Sequence, residues 1–284
     1  MKAHAKLYPI KLMCRVLMIS ISSYYRWLIG KPSPRAQRDL ILSALVKAAH
    51  SVSRETYGSE RLHAELVSSG VDISKYKVRS LRSKLGLRCK QVKRFKQTTN
   101  SDHDKPIAPN LLNQQFTVES PNQAWSSDIT YVWTTAGWLY VAGVKDLSSK
   151  EIVGYAIDER MTTDLCLKAL DMAIKRRKPE AGLIVHSDRG SQYCSKAYRQ
   201  YLEQHKFECS MSRKGNCYDN APIESFWSSM KNELIHQTQY ESREQARREI
   251  VEYIEIFYNR VRRHTKLGNI SPAEAFNNFM LQAA

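Results

Sequence analysis

The chain has 284 residues, 42% of them hydrophobic, enough for one large or two modest domains with a real core. No stretch approaches a membrane span, Met1 to Ile10 lacks the apolar run of a secretory signal, and the six cysteines form neither a CxxC pair nor a His/Cys zinc spacing; membrane, secreted and structural-zinc classes are disfavoured, and an intracellular protein is expected. The net charge is +16, and almost all of it lies in Met1 to Lys105, where 22 Lys and Arg face 7 Asp and Glu. An asymmetry of this size points to a polyanionic partner, and to nucleic acid over membrane because no amphipathic Trp/Phe-rich surface helix accompanies it.

Residues 1–30 read as helix, turn, helix: Leu12, Val16 and Leu17 recur at helical spacing, Ser20 to Ser23 break the pattern, and Tyr24 to Trp27 resume it. Residues 38–96 form a second basic helical region. Leu42, Leu45, Val46 and Ala49 share one stripe, Leu62 and Leu66 another, Gly70 stops that helix, and Ser74 is placed to cap the next. This last helix turns Val78, Leu81 and Leu85 inward and carries Lys75, Lys77, Arg79, Arg82 and Lys84 outside. A helix in a groove with a basic tail on the phosphates is the DNA-binding arrangement expected here; a plain helical bundle with a soluble surface is the alternative.

Residues 97–117 are polar, contain Pro106 and Pro109 and read as a linker. From 118 to 284 the pattern changes. Ala124 to Val132, Trp138 to Val144 and Glu151 to Ile157 are β-rich runs at hairpin spacing, followed by a helix over Thr162 to Arg177, a strand over Gly182 to His186, a helix over Ser195 to His205 and a short strand over Glu208 to Ser212. Helices then run to the end, giving an α/β layout with a sheet covered by helices.

Three acids stand out in this part. Asp188 lies just past a buried-type strand with Gly190 close behind; Asp128 interrupts a β-rich run, where aspartate is depleted; Glu224 opens a helix beside the inner stripe Ile223, Trp227, Met230. Lys231, seven residues on, projects from the same side, about 20° away at the ideal helical twist. Singly, each acid reads as a cap, an ion-pair partner or a helix-start residue. Together, three carboxylates around a cleft suit Mg²⁺ or Mn²⁺ over zinc, and two such ions suit in-line phosphoryl transfer on a phosphodiester.

The segments WSSDITYV at Trp125, HSDRGSQY at His186 and NCYDNAPIESFWSSMKNE at Asn216 resemble those of DDE transposases of the retroviral integrase superfamily, specifically the second-frame (OrfB) product of two-reading-frame bacterial insertion sequences. Asp188 and Glu224 have 35 residues between them, the spacing of that superfamily. TYGSERLHAEL at Thr56, MCRVLMISISSYYRW at Met13 and YNRVRRHTKLGNISPAEAF at Tyr258 extend the resemblance over nearly the whole chain.

The resemblance implies a ribonuclease H-like core, a five-stranded mixed sheet flanked by helices, preceded by an all-α helix-turn-helix-like region. It implies Asp128, Asp188 and Glu224 as the catalytic and metal-binding triad for two Mg²⁺ (or Mn²⁺) ions, with Lys231 contacting DNA near the reacting phosphate. His186, Gln192, Asn216 and Asn220 match motif positions and are supporting candidates; Arg262 and Arg263, in the basic cluster Arg260 to Lys266, are candidate phosphate contacts. The expected activity is DNA cleavage and strand transfer at insertion-sequence ends, in the bacterial cytoplasm and associated with the nucleoid. A first-frame (OrfA) partner and a homo-multimer on DNA are expected; a cleavage-only nuclease and a non-catalytic DNA-binding regulator or inactive copy are the alternatives.

Overall fold

The computed structural model describes residues 1–90, 107–213 and 217–283. Its first two helices, α1 (Ile10–Val16) and α2 (Ile21–Ile29), meet at Ser20, whose hydroxyl accepts from the Ser23 amide at 3.0 Å and so caps α2. They bury only Cys14 and Tyr24. Three further helices follow, α3 (Pro34–Val52), α4 (Ser59–Ser68) and α5 (Lys75–Lys84). Ser74 caps α5 as expected, accepting from the Lys77 amide at 3.2 Å, and Leu42, Val46, Leu62, Leu66, Val78 and Leu81 form the core of this trio.

The sheet comprises β1 (Ala124–Thr134), β2 (Gly137–Asp146), β3 (Ile152–Asp158), β4 (Ile184–Ser187) and β5 (Glu208–Met211), in the order β3-β2-β1-β4-β5. The first three pair antiparallel, as short turns allow. β4 and β5 join parallel, each reached by a helical crossover, α6 (Thr163–Arg177) and α7 (Lys196–Gln204). The sheet is therefore mixed and five-stranded, as expected.

Alternation along β2 divides the interior. Ala142 and Val144 face α6 with Leu165, Ala169 and Ala173, while Leu139 and Val141 face the other side with Ile223, Trp227 and Met230 of α8 (Ala221–Glu233). Two strand glycines let the helices approach. A Cβ on Gly154 would lie 2.7 Å from Ala173 Cβ of α6, and one on Gly143 would lie 2.8 Å from the Trp227 ring.

The helix α9 (Arg243–Glu252) runs on as a π-helix over Tyr253–Val261, and α10 (Pro272–Ala283) ends the chain. The π turn brings Asn259 to the start of β3, where its side chain bonds both the amide and the carbonyl of Ile152 at 3.0 Å each and satisfies backbone groups at the sheet edge. The same segment docks the helical trio. Arg54 pairs with Glu252 at 2.6 Å, and the Tyr57 hydroxyl donates to the Val261 carbonyl at 3.1 Å and accepts from the Arg263 amide at 2.6 Å.

The described end of the expected linker lies against the core. The Met211 amide donates to the Pro109 carbonyl at 3.2 Å, the Leu111 amide donates to the Ser210 hydroxyl at 2.9 Å, and Leu112 is buried with Ala124 and Leu147. Among the described residues no helix is long and apolar enough to cross a membrane.

Candidate active site

The parallel pairing of β1 and β4 ends at Ser127 opposite Ser187. The next residues on the two strands are Asp128 and Asp188. Register therefore brings these two residues to neighbouring positions where the strands part. Asp188 is steadied by an Asx turn in which the Gly190 amide donates to its Oδ1 at 2.9 Å. Gly190 does not serve a left-handed turn, since its φ is not positive; a Cβ there would come within 2.9 Å of the same oxygen and push the Asp188 carboxylate aside.

Glu224 comes from the first turn of α8, which is tied down at two points. Asn220 accepts from the Ser126 hydroxyl at 2.6 Å and donates to the Ser127 carbonyl at 3.3 Å; Lys145 Nζ donates to the Pro222 carbonyl at 2.8 Å. Ile223 and Trp227 are buried while Glu224, between them on the helix, is exposed.

The electrostatics link all three. Burial holds the Asp128 carboxyl well above the usual carboxylate range, the neighbouring Asp188 charge raises it further, and Glu224 adds to this. The Trp227 indole N–H faces Asp128 and slightly favours its charged form, although it falls short of a full hydrogen bond. Glu224 is raised by partial burial and then by Asp188. Among the described residues Asp128 has no ion-pair partner, so the compensation its place in a strand calls for is not supplied by an arginine or lysine. A hard divalent cation fits this all-oxygen, like-charged set. Among the described residues no three acid, His or Cys side chains are grouped closely enough to hold one ion.

The remaining sequence candidates divide. Lys231 reaches β1, its Nζ 5.0 Å from the Tyr131 ring centroid. Asn220 is a positioning residue between β1 and α8. Gln192 ties its loop to the Met161 carbonyl at 3.3 Å. His186 is fully buried and bridges β4 to the neighbouring β5 and the residue just past it, with Nδ1 2.8 Å from the Ser210 hydroxyl and Nε2 3.2 Å from that of Ser212. It is closed off from DNA, and burial pushes its imidazole down to about 4. Asn216 lies outside the described residues.

Arg262 and Arg263, the candidate phosphate contacts, are both engaged within the protein. Arg262 is buried in a two-pronged pair with Glu233, with Nη2–Oε1 2.7 Å and Nε–Oε2 2.9 Å and side chains 7% and 8% exposed. Arg263 turns back to Glu65 of α4 at 2.5 Å and to the Asn269 carbonyl at 2.7 Å. On α5, Lys77 is half-buried against Asp39 at 2.7 Å, Arg82 turns to Cys89 Sγ at 3.0 Å, Lys75 makes an exposed pair with Glu60 at 3.0 Å, and Arg79 is exposed with no partner among the described residues.

Two charged residues escaped the sequence reading. Asp219 is buried and well below the usual carboxylate range because Arg213 binds it through side chain and backbone; Asn110 and Gln114 donate to it at 3.0 and 2.9 Å. Lys145, also buried, is pushed down to about 7, chiefly by desolvation. Its signal is a lysine at the end of the apolar run WLYVAGV, on the alternation that puts Val141 inside.

Comparison with known proteins shows the family of the chain. Two family models described as "Integrase core domain" match residues 118–217 and 205–272, and an HTH-like domain model matches residues 36–95. Transposase InsF of insertion sequence IS3A from Escherichia coli K12 is 43% identical over 277 residues, covering 97% of this chain and 96% of that protein. The chain belongs to the IS3-type insertion-sequence transposases. An uncharacterised 31 kDa protein of insertion element IS600 from Shigella sonnei is 53% identical over 272 residues, covering 96% of this chain and all of that protein. Among solved structures, the HTLV-2 integrase catalytic core domain in complex with magnesium is similar at 12% identity and a TM-score of 0.44, over 55% of this chain and 97% of that one. The family match and the curated relatives make the transposase a DDE-type polynucleotidyl transferase with an integrase core.

Proposed function

We propose that this transposase cuts DNA at the ends of its insertion sequence and joins the freed 3′-hydroxyl to a second phosphodiester, with Asp128, Asp188 and Glu224 as the metal-binding acids. The observation that carries the reading is the β1–β4 register, which ends at Ser127 and Ser187 and brings the two aspartates that follow to neighbouring positions, beside an exposed glutamate whose carboxyl Asp188 helps to raise. Divalent cations held there would supply Lewis-acid stabilisation of charge developing on the phosphoryl oxygens. The chain's own residues do the rest of the work. Gly190 and Asn220 orient Asp188 and the α8 N-terminus, Trp227 and Ile223 keep water from the inner side of the acids, and Lys231 offers a positive charge at the open end of β1. In the first step water attacks the scissile phosphorus and the 3′-oxygen leaves with a proton. In the second that 3′-hydroxyl attacks another phosphorus and a strand oxygen leaves, so no covalent enzyme intermediate is needed.

The exposed outer side of α5, with Arg79 and Lys84, is the surface we assign to non-specific DNA contact. A first-frame partner and a multimer bridging two DNA ends complete the proposal. The test supplies labelled duplex ends of the element with Mg²⁺ or Mn²⁺ to the protein, alone and with its first-frame partner, and compares wild type with Glu224→Gln. Nicked and joined products that vanish in the variant support the reading. Nicks without joining point to a nuclease; binding without metal-dependent cleavage, even with the partner, points to a regulator or an inactive copy.

A further inference from the structure

The pairing of β4 with β1 stops at Ser127, so from Asp128 onward β1 has no strand neighbour on that side among the described residues. The open stretch is aromatic. Tyr131 and Trp133 alternate onto one face, and Trp138 of β2 stands directly opposite Trp133. The Trp138 ring makes edge contacts with both, at centroid distances of 5.1 Å to Tyr131 and 4.8 Å to Trp133. Trp133 is 57% exposed and Trp138 43%, which is unusual for two adjacent indoles.

A cross-strand Trp pair can serve only to pin a hairpin. This hairpin is already pinned elsewhere. Thr134 Oγ1 donates to the Gly137 carbonyl at 2.7 Å, the Thr135 amide donates to the Tyr240 carbonyl at 3.0 Å, and Arg243 Nε donates to the Trp138 carbonyl at 3.2 Å. The exposed rings are therefore free for another role. Asp128 points to the α8 side of the sheet and the aromatic residues to the other, and the open edge is where the two sides communicate: Lys231 reaches from α8 to lie 5.0 Å from the Tyr131 centroid. Tyr131 lies about 10 Å and Trp133 about 17 Å along the strand from Asp128, a span of a few nucleotides.

We propose that Tyr131, Trp133 and Trp138 form a stacking platform for an unpaired base of the DNA strand engaged at the acids, with Lys231 holding the adjoining phosphate. A large π surface beside a cation is the chemistry that grips single-stranded nucleic acid without regard to sequence. The inference rests on DNA being the substrate of the three acids, but its test does not need cleavage.

A short duplex with a single-stranded tail containing 5-iodouracil, and the same duplex blunt-ended, are bound to the full-length protein in Ca²⁺ and irradiated. Cross-links from the tail should map to Trp133 or Trp138. The double variant Trp133→Ala/Trp138→Ala should bind the tailed duplex about five- to 100-fold more weakly, keep its affinity for the blunt duplex, and keep the salt dependence of binding, because stacking releases no counterions. Trp133→Phe/Trp138→Phe should recover part of the loss. Equal weakening on both duplexes, or cross-links elsewhere, overturns the proposal. So does a double variant that changes oligomeric state on size exclusion yet binds the tail normally, which would assign this face to contacts between copies. Glu224→Gln should cross-link like wild type; cross-linking by a protein that never cleaves would leave the platform standing and remove the proposed strand-transfer activity.

Discussion

Replacing Arg262 by alanine separates two roles that the sequence leaves open. In the structure its guanidinium makes contacts of 2.7, 2.9 and 3.0 Å to the Glu233 carboxylate, and both side chains are more than nine-tenths buried. Truncation leaves Glu233 charged in a dry setting beside the Tyr253 hydroxyl, a neutral donor at 2.7 Å. Breaking a buried pair from one side costs about 3–5 kcal/mol. The site joins α8, which carries Glu224, to the segment after the π-helix, so activity should fall with stability. Urea unfolding followed by tryptophan fluorescence measures the loss. Glu233→Gln added to Arg262→Ala should recover a substantial part, because the orphaned charge is gone. The reasoning is refuted if Arg262→Ala unfolds within about 1 kcal/mol of wild type, as for an exposed pair, while the salt slope of DNA binding drops by about 1, the mark of a lost phosphate contact.

Gly143→Ala puts a methyl group 2.8 Å from the Trp227 ring, opposite Asp128; we expect about 1–3 kcal/mol of destabilisation from overpacking and a larger loss of cleavage, read by thermal unfolding and by nicking assays on the same preparation. Asp128→Asn should abolish cleavage yet raise the melting temperature at pH 7 without metal. A carboxyl raised in the folded state costs stability as pH climbs above its ordinary value of 3.8, so the gain should vanish below about pH 4; a gain that persists there refutes the assignment. His186, held near 4 in the fold against an ordinary 6.5, contributes stability that is present above 6.5 and lost as pH falls toward 4, about 3 kcal/mol in all. His186→Gln should flatten that limb of the stability curve in pH-dependent urea titrations.

Local chemistry made much of the architecture legible. Ser74 reads as a cap because a hydroxyl before a helical stripe has few other uses, and it caps α5. The β-rich runs AWSSDITYV and WLYVAGV, separated by a Gly-containing turn, foretell the β1–β2 hairpin. The acids were visible as residues out of place, above all Asp128 inside a strand.

Where most helices and strands fall, and which acids are anomalous, can be read along the chain, because capping, periodicity and β-propensity act over a few neighbouring residues. What each charge faces depends on segments that meet only in the fold. Arg262 and Arg263 sit in one basic run, yet both turn inward, since Glu233 lies 29 residues upstream of Arg262 and Glu65 lies 198 upstream of Arg263. Lys145 and Asp219 look like surface charges until α8 and the segment around Asn110 close over them. Even the neighbouring placement of Asp128 and Asp188 depends on a parallel register between strands 60 residues apart in the chain. Charges act through space and through the dielectric around them, and neither is written in the order of the residues.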